Sequence, residues 1–190
     1  APNANMKLAG GKFLMKDYLW NTTDFMLDSD INPEGASAHF ERPLAQGLDG
    51  FVNGGVWVLD EIDGNTSGFT NTDHADPFMH YLQGGLKWEH APDENSGVDA
   101  TLAGNYYGFN GVKGAQLEND KDINSTSASN LQYDYDSYGV SAKTGVVNVF
   151  GGLPMHIDEY IAVFGDYLVN PDPEEQNVAF RLAARIRLGA

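Results

Sequence analysis

The chain contains no cysteine. That excludes disulfides, thiol nucleophiles and cysteine metal sites, and it is compatible with a periplasmic or outer-membrane location. No apolar run approaches the roughly 18 residues of a transmembrane helix, so a helical membrane protein is excluded too. Basic residues are scarce: 11 Lys and Arg stand against 27 Asp and Glu, a net charge of -16. This acidity argues against nucleic acid and anionic lipid surfaces as partners. The start does not read as a signal peptide, so the sequence is taken as a mature or internal piece. No phosphate loop, nucleophile motif or Ser/His/Asp grouping stands out, and the chain is not read as an enzyme. The five histidines, His39, His74, His80, His90 and His156, have no metal-ligand spacing and read as interfacial or loop residues.

What is present points to strands. Length allows one domain with a core over 1–190, and 22 glycines with 12% aromatics suit many strands and turns. The clearest pattern is at the end, over 177–190. Val178, Phe180, Leu182, Ala184, Ile186 and Leu188 fall on one face, and Ala179, Arg181, Ala183, Arg185, Arg187 and Gly189 on the other, because successive strand side chains point to opposite sides. An apolar face about ten residues long opposite a cationic face fits a strand with lipid on one side and water on the other. A half-buried strand of a soluble sheet alternates in the same way.

The pattern recurs. Strands are expected over 6–15, 35–42, 50–60, 78–90, 98–109, 137–149 and 159–169. In the second, Ala36, Ala38 and Phe40 oppose Ser37, His39 and Glu41. In the fourth, Phe78, His80, Leu82, Leu86 and Trp88 oppose Met79, Tyr81, Gln83, Lys87 and Glu89, with aromatics near both ends of the apolar face. The connections alternate between long (16–34, 61–77, 110–136) and short (43–49, 91–97, 150–158), and the last, 170–176, is a polar Asp/Glu/Pro segment. Segregation of loop length by side is the habit of outer-membrane barrels. The fold class expected is therefore all-β, an antiparallel up-and-down transmembrane barrel with about eight strands in this chain.

On that reading Arg181, Arg185, Arg187, Lys143, Lys87, Glu89 and Gln83 line the pore. The cations form a basic ladder for anionic solutes, or else pair with Glu89, Glu159 or Asp166 to hold the interior together. Asp28, Asp30, Asn32 and Glu34 imitate the start of a calcium loop. Pro33 stands where such a loop wants glycine, so a loop that folds back to constrict the pore, or Asx-type capping, is the stronger reading. Ca2+ is the one cofactor considered.

A set of sequence runs adds to this. Ala9-Gly-Gly-Lys-Phe13, Tyr18-Leu-Trp20, Leu27-Asp-Ser-Asp-Ile-Asn-Pro-Glu-Gly35 and Val56-Trp-Val-Leu-Asp-Glu61 resemble the putative porins of Gram-negative outer membranes. Asp76-Pro-Phe78, Lys87-Trp88 and Val163-Phe-Gly-Asp-Tyr167 are similar to that family's later strands. The resemblance implies an outer-membrane location, passive diffusion of small hydrophilic solutes, and lipid and lipopolysaccharide as surroundings. Porins are often trimers, so a homotrimer is an expectation. Family members are usually longer and close on a C-terminal aromatic, whereas this chain stops at Gly189-Ala190; a piece of a larger barrel is expected, with a closed eight-stranded barrel as its rival. A surface barrel that binds a partner through acidic loops, and a soluble β-sandwich that binds a ligand, are the alternative readings.

Overall fold

The computed structural model describes residues 4–23, 27, 32–59, 76–93, 96–113, 126–127, 130–131, 135–148, 158–171 and 177–189. Its strands are β1 (Asn5–Lys12), β2 (Glu34–Ala45), β3 (Leu48–Val58), β4 (Phe78–Asp93), β5 (Ser96–Asn110), β6 (Thr126–Ser127), β7 (Asn130–Leu131), β8 (Ser137–Val147), β9 (Asp158–Val169) and β10 (Val178–Gly189). No α-helix occurs among the described residues, and a single 3-10 turn spans Met15–Asp17. Eight strands form one antiparallel sheet in the order β1-β2-β3-β4-β5-β8-β9-β10, and β6 pairs with β7 apart from it. The all-β up-and-down architecture expected from the alternation is what forms.

The sheet is open. β1 and β10 are its edges and do not pair with each other, so these strands form a wall rather than a closed eight-stranded barrel.

Strand ends differ from those expected from the sequence. β1 stops at Lys12, because Gly11 takes a left-handed φ of 89° and the chain turns to bury Met15. β2 runs through Pro43 to Ala45, with a register shift between those residues; proline withholds one ladder donor and is tolerated at such an irregularity. β4 and β5 are longer than expected and are separated only by residues 94 and 95. Residues 126–131, read as loop, contain the β6–β7 ladder.

Loop length segregates over the first five connections: one end of the sheet carries the segments 13–33, 59–77 and 111–136, and the other carries 46–47 and 94–95. The last two, 148–157 at the short-turn end and 170–177 at the other, do not keep to that pattern. At the long-connection end the strand pairs are tied by bonds between connection ends: the Phe13 amide donates to the Pro33 carbonyl at 3.2 Å and the Leu59 amide to Pro77 at 2.9 Å. The Phe109 amide donates to Asp136 Oδ1 at 2.8 Å.

Register gives the sheet two unlike faces. On one, Met6, Leu8, Phe40, Val52, Leu82, Leu86, Leu102, Val140, Val163, Phe180, Leu182 and Ile186 are exposed. Aromatics cluster at both ends of this apolar face. Tyr106 meets His80 at 5.6 Å and Tyr138 at 5.1 Å at one end, and Trp88 stacks on His90 at 6.1 Å at the other. The opposite face carries Ser37, Asn53, Gln83, Asn105 and Ser141, all buried. Burial of polar groups beside bare apolar groups inverts the arrangement of a water-soluble protein.

Candidate functional site on the polar face

The polar groups at mid-sheet form a continuous belt. Register places His39, Asn53, Gln83 and Asn105 side by side on β2, β3, β4 and β5. His39 Nδ1 lies 2.6 Å from Asn53 Oδ1, Asn53 Nδ2 donates to Gln83 Oε1 at 2.6 Å, and Gln83 Nε2 donates to Asn105 Oδ1 at 2.7 Å. Asn105 Nδ2 then donates to Ser141 Oγ on β8 at 2.8 Å. A buried polar group without a partner costs about 1 to 3 kcal/mol, and here each amide is satisfied by its cross-strand neighbour.

Above the belt, toward the long connections, the segment following β1 lies on the polar face. Met15 and Leu19 are buried against Trp57, Met79, Tyr81, Tyr107 and Leu168, side chains from β3, β4, β5 and β9. The segment is also held by its backbone. The Trp20 amide donates to Gln83 Oε1 at 2.9 Å while Gln83 Nε2 donates to the Trp20 carbonyl at 2.8 Å, so one side chain mimics a β-bridge. Tyr81 Oη donates to the Tyr18 carbonyl at 2.9 Å. Thr22 and Thr23 both donate to Asp166 Oδ2 at 2.6 Å.

Glycine opposite a large side chain lets the rings on this face cross strands. A Cβ at Gly55 would lie 2.6 Å from the Tyr81 ring and 2.4 Å from Ser37 Oγ. Its absence lets Tyr81 reach across β3 to Ser37 on β2 at 3.2 Å. Gly145 does the same for Tyr160, whose hydroxyl would be 2.1 Å from such a Cβ; Tyr160 crosses β8 and donates to Asp99 Oδ1 on β5 at 2.8 Å.

Below the belt, toward the short turns, the polar face is charged. Lys87 pairs with Glu41, and Lys143 with Asp99 at 3.3 Å. Each of these ammonium groups also sits over a ring, Lys87 over Phe51 at 5.2 Å and Lys143 over Tyr160 at 5.3 Å. A polar cavity of about 350 Å³ lies between β4, β5 and β8, lined by Lys87, Glu89, Asp99 and Lys143 among others.

All seven residues expected to line a pore, Arg181, Arg185, Arg187, Lys143, Lys87, Glu89 and Gln83, lie on the polar face. They are not brought together as one site. Gln83 belongs to the belt; Lys87, Lys143 and Glu89 border the lower cavity; the arginines are on the edge strand β10. The lysines pair with Glu41 and Asp99 rather than with Glu89, Glu159 or Asp166; Glu159 pairs in register with Leu188, a position of the apolar face. Of the suggested cation loop, Asp28 and Asp30 lie outside the described residues, and Asn32 and Glu34 are exposed. No group of three or more metal-capable side chains occurs among the described residues. The segment that folds onto the sheet, as far as it is described, is the earlier part of the same connection, residues 13–23.

Several contributors were not singled out from the sequence: Thr22 and Thr23 in the segment, and Asn53, Asn105 and Ser141 in the belt; Tyr18 and Trp20 stood out only as part of a family run, with no role at a site. A signal existed for the belt, in lone amides at the centres of strands that otherwise carry small and aromatic residues.

The putative porin family matches residues 1–145. Comparison with curated proteins gave no match, and comparison with solved structures gave none. An up-and-down sheet with one bare apolar face, a polar face and a match over most of its length make this chain a member of the putative porin family.

Proposed function

We propose that the chain forms the wall of a water-filled channel in the bacterial outer membrane, through which small hydrophilic solutes diffuse, and that residues 13–23 form its constriction. The observation that carries this reading is the two-faced sheet. Large apolar side chains are left bare on one side, Phe180 at 77% and Leu182 at 75% exposure, while amides and charges collect on the other. In water such a face would cost about 25 cal/mol for every Å² left unburied; in lipid it costs nothing. Phe78 and Trp88 are about 33 Å apart along β4 at 3.3 Å per residue. A tilt of about 40° reduces that to about 25 Å, the height of an outer-membrane barrel's apolar band.

On this reading lipid solvates the apolar face, and the polar face is turned to water. The segment narrows the passage at mid-height, where the belt grips it, and solutes small enough to pass meet the charged region next. The test is single-channel recording from the full chain in a planar bilayer. Discrete, stable steps are expected. Silence from protein that has folded in detergent would overturn the channel reading and favour a non-conducting surface barrel that binds a partner through its acidic loops.

A further inference from the structure

The amide of Gln83 has only one way round. The Trp20 backbone N–H can only donate and the Trp20 carbonyl can only accept, so the first holds Oε1 at 2.9 Å and the second holds Nε2 at 2.8 Å. That orientation passes along the belt. Asn53 meets Gln83 Oε1 at 2.6 Å and must offer its Nδ2 there, which turns its Oδ1 toward His39 Nδ1, also at 2.6 Å. An amide oxygen accepts and never donates, so His39 carries its proton on Nδ1. The tautomer of a histidine on β2 is thus set by the backbone of a residue on the overlying segment. Nε2 is left as the nitrogen at which a proton comes and goes.

Glu41 Oε2 lies 3.8 Å from Nε2, too far for a hydrogen bond but within reach of an ion pair once the ring is charged. The same oxygen holds Lys87. Among the described residues, the charged groups facing the ring are Glu41 on its own strand, Lys87 beyond it on β4, and Lys7, its register partner on β1. From β3 it meets the neutral Asn53. The imidazole is 11% exposed, which gives water a route to Nε2. Protonation there leaves the Nδ1–H bond to Asn53 untouched. The belt keeps its hold on Trp20 while one positive charge is added beside it. Imidazole changes charge between pH 5 and 8. The other two described histidines stand in apolar-face rows, His80 opposite Val56 and His90 opposite Val98.

We propose that His39 sets the ion selectivity of the passage according to pH: charged in acid, it turns the mid-height region toward anions without releasing the segment. The proposal rests on the channel reading, since selectivity needs a passage. The protonation itself can be read without conduction.

The experiment pairs two measurements on the detergent-folded full chain at pH 8 and pH 5. Long-range proton–nitrogen NMR with labelled histidine reads the tautomer, the His39 signals being those absent from His39→Gln. Reversal potentials in a potassium chloride gradient read selectivity. His39 is expected to carry a proton on Nδ1 at pH 8 and on both nitrogens at pH 5. The chloride-to-potassium permeability ratio is expected to rise about threefold over the same interval, the effect of one unit charge about 6 Å from a passing ion in water. His39→Gln, whose amide can donate to Asn53 but takes no charge, should abolish the rise, and His90→Gln should preserve it. A proton on Nε2 alone at pH 8, no titration of His39 between the two pH values, or a rise that survives in His39→Gln or is lost in His90→Gln overturns the proposal. Conducting steps with an unchanged ratio in the unmodified chain overturn it alone, whatever the variants do. A silent bilayer with the titration intact overturns the channel reading alone. Unchanged electrophoretic heat-modifiability in both variants establishes that they are folded.

Discussion

Gln83 receives the amide of Trp20 at 2.9 Å and returns a bond to its carbonyl at 2.8 Å, so a side chain at mid-sheet closes both backbone groups of a residue on the overlying segment. The same amide is bonded to Asn53 and Asn105. Gln83→Leu therefore leaves groups on three neighbours unsatisfied. A loss of about 2 to 3 kcal/mol is expected, read as a lower urea midpoint by tryptophan fluorescence in lipid vesicles. If residues 13–23 are the constriction, single-channel conductance rises at the same time. Stability lost with conductance unchanged would remove the segment from the conduction path.

Asp166 holds Thr22 and Thr23 and faces Arg181. In Asp166→Asn the amide oxygen still accepts from the threonines, but Arg181 loses its opposing charge. A unit charge about 6 Å from a passing ion in water is worth about 0.7 kcal/mol, so removing one negative charge is expected to raise the chloride-to-potassium permeability ratio at least about threefold. Reversal potentials in a potassium chloride gradient measure this. A shift toward potassium would show that the acidic connections, not the arginines, govern selectivity.

Gly54 and Gly55 are neighbours on β3 with opposite fates. A Cβ at Gly55 meets Ser37 Oγ at 2.4 Å and the Ala36 carbonyl oxygen at 2.7 Å, while the nearest atom to one at Gly54 is 3.5 Å away. Gly55→Ala should destabilise by about 1 to 3 kcal/mol, as overpacking does. Gly54→Ala should be neutral or gain up to about 1 kcal/mol from reduced chain entropy. Paired unfolding curves decide, and equal effects would contradict the face assignment of β3.

The two faces can be tested with one residue type. Leu102 is 55% exposed on the apolar face, and Thr101 on the polar face lies in register between Lys87 and Lys143. Leu102→Glu is expected to cost about 2 kcal/mol against lipid. Thr101→Glu gains two cationic neighbours and should cost less than about 0.5 kcal/mol. Folding yield into vesicles, followed by heat-modifiable mobility, separates them.

Much of the fold was legible because a two-residue period is written directly into the chain. The alternations at Ala36 to Glu41, Phe78 to Glu89 and Val178 to Leu188 each assign their strand's faces correctly, and the glycine- and proline-rich turns mark its ends to within a few residues. Strand ends were less legible where a backbone feature intervened, as at Gly11 and Pro43. The site was harder to read. That Asp166 meets Thr22 and Thr23, or Gln83 meets Trp20, depends on which strands lie beneath a loop, and no local pattern encodes that. Ion pairing was misassigned for the same reason. Glu41 reaches Lys87 across β3, a pairing that no spacing along either strand announces. For Asp28 and Asp30 the comparison lies outside the described residues.

The bonds from Thr22 and Thr23 to Asp166 join positions 144 and 143 residues apart, whereas each strand of the main sheet pairs with the next one along the chain. The hairpins can form in sequence as each turn closes, and β3, β4 and β5 already offer most of the seat for residues 13–15 and 18–20, but Thr22 and Thr23 have no anchor until β9 brings Asp166. Long loops are slow to close because their entropy is lost before the contact is gained. The segment is thus seated in two steps, its first half by nearby strands and its second by a distant one. A kinetic experiment would see this as amide protection at Thr22 and Thr23 lagging behind tryptophan burial at Trp20.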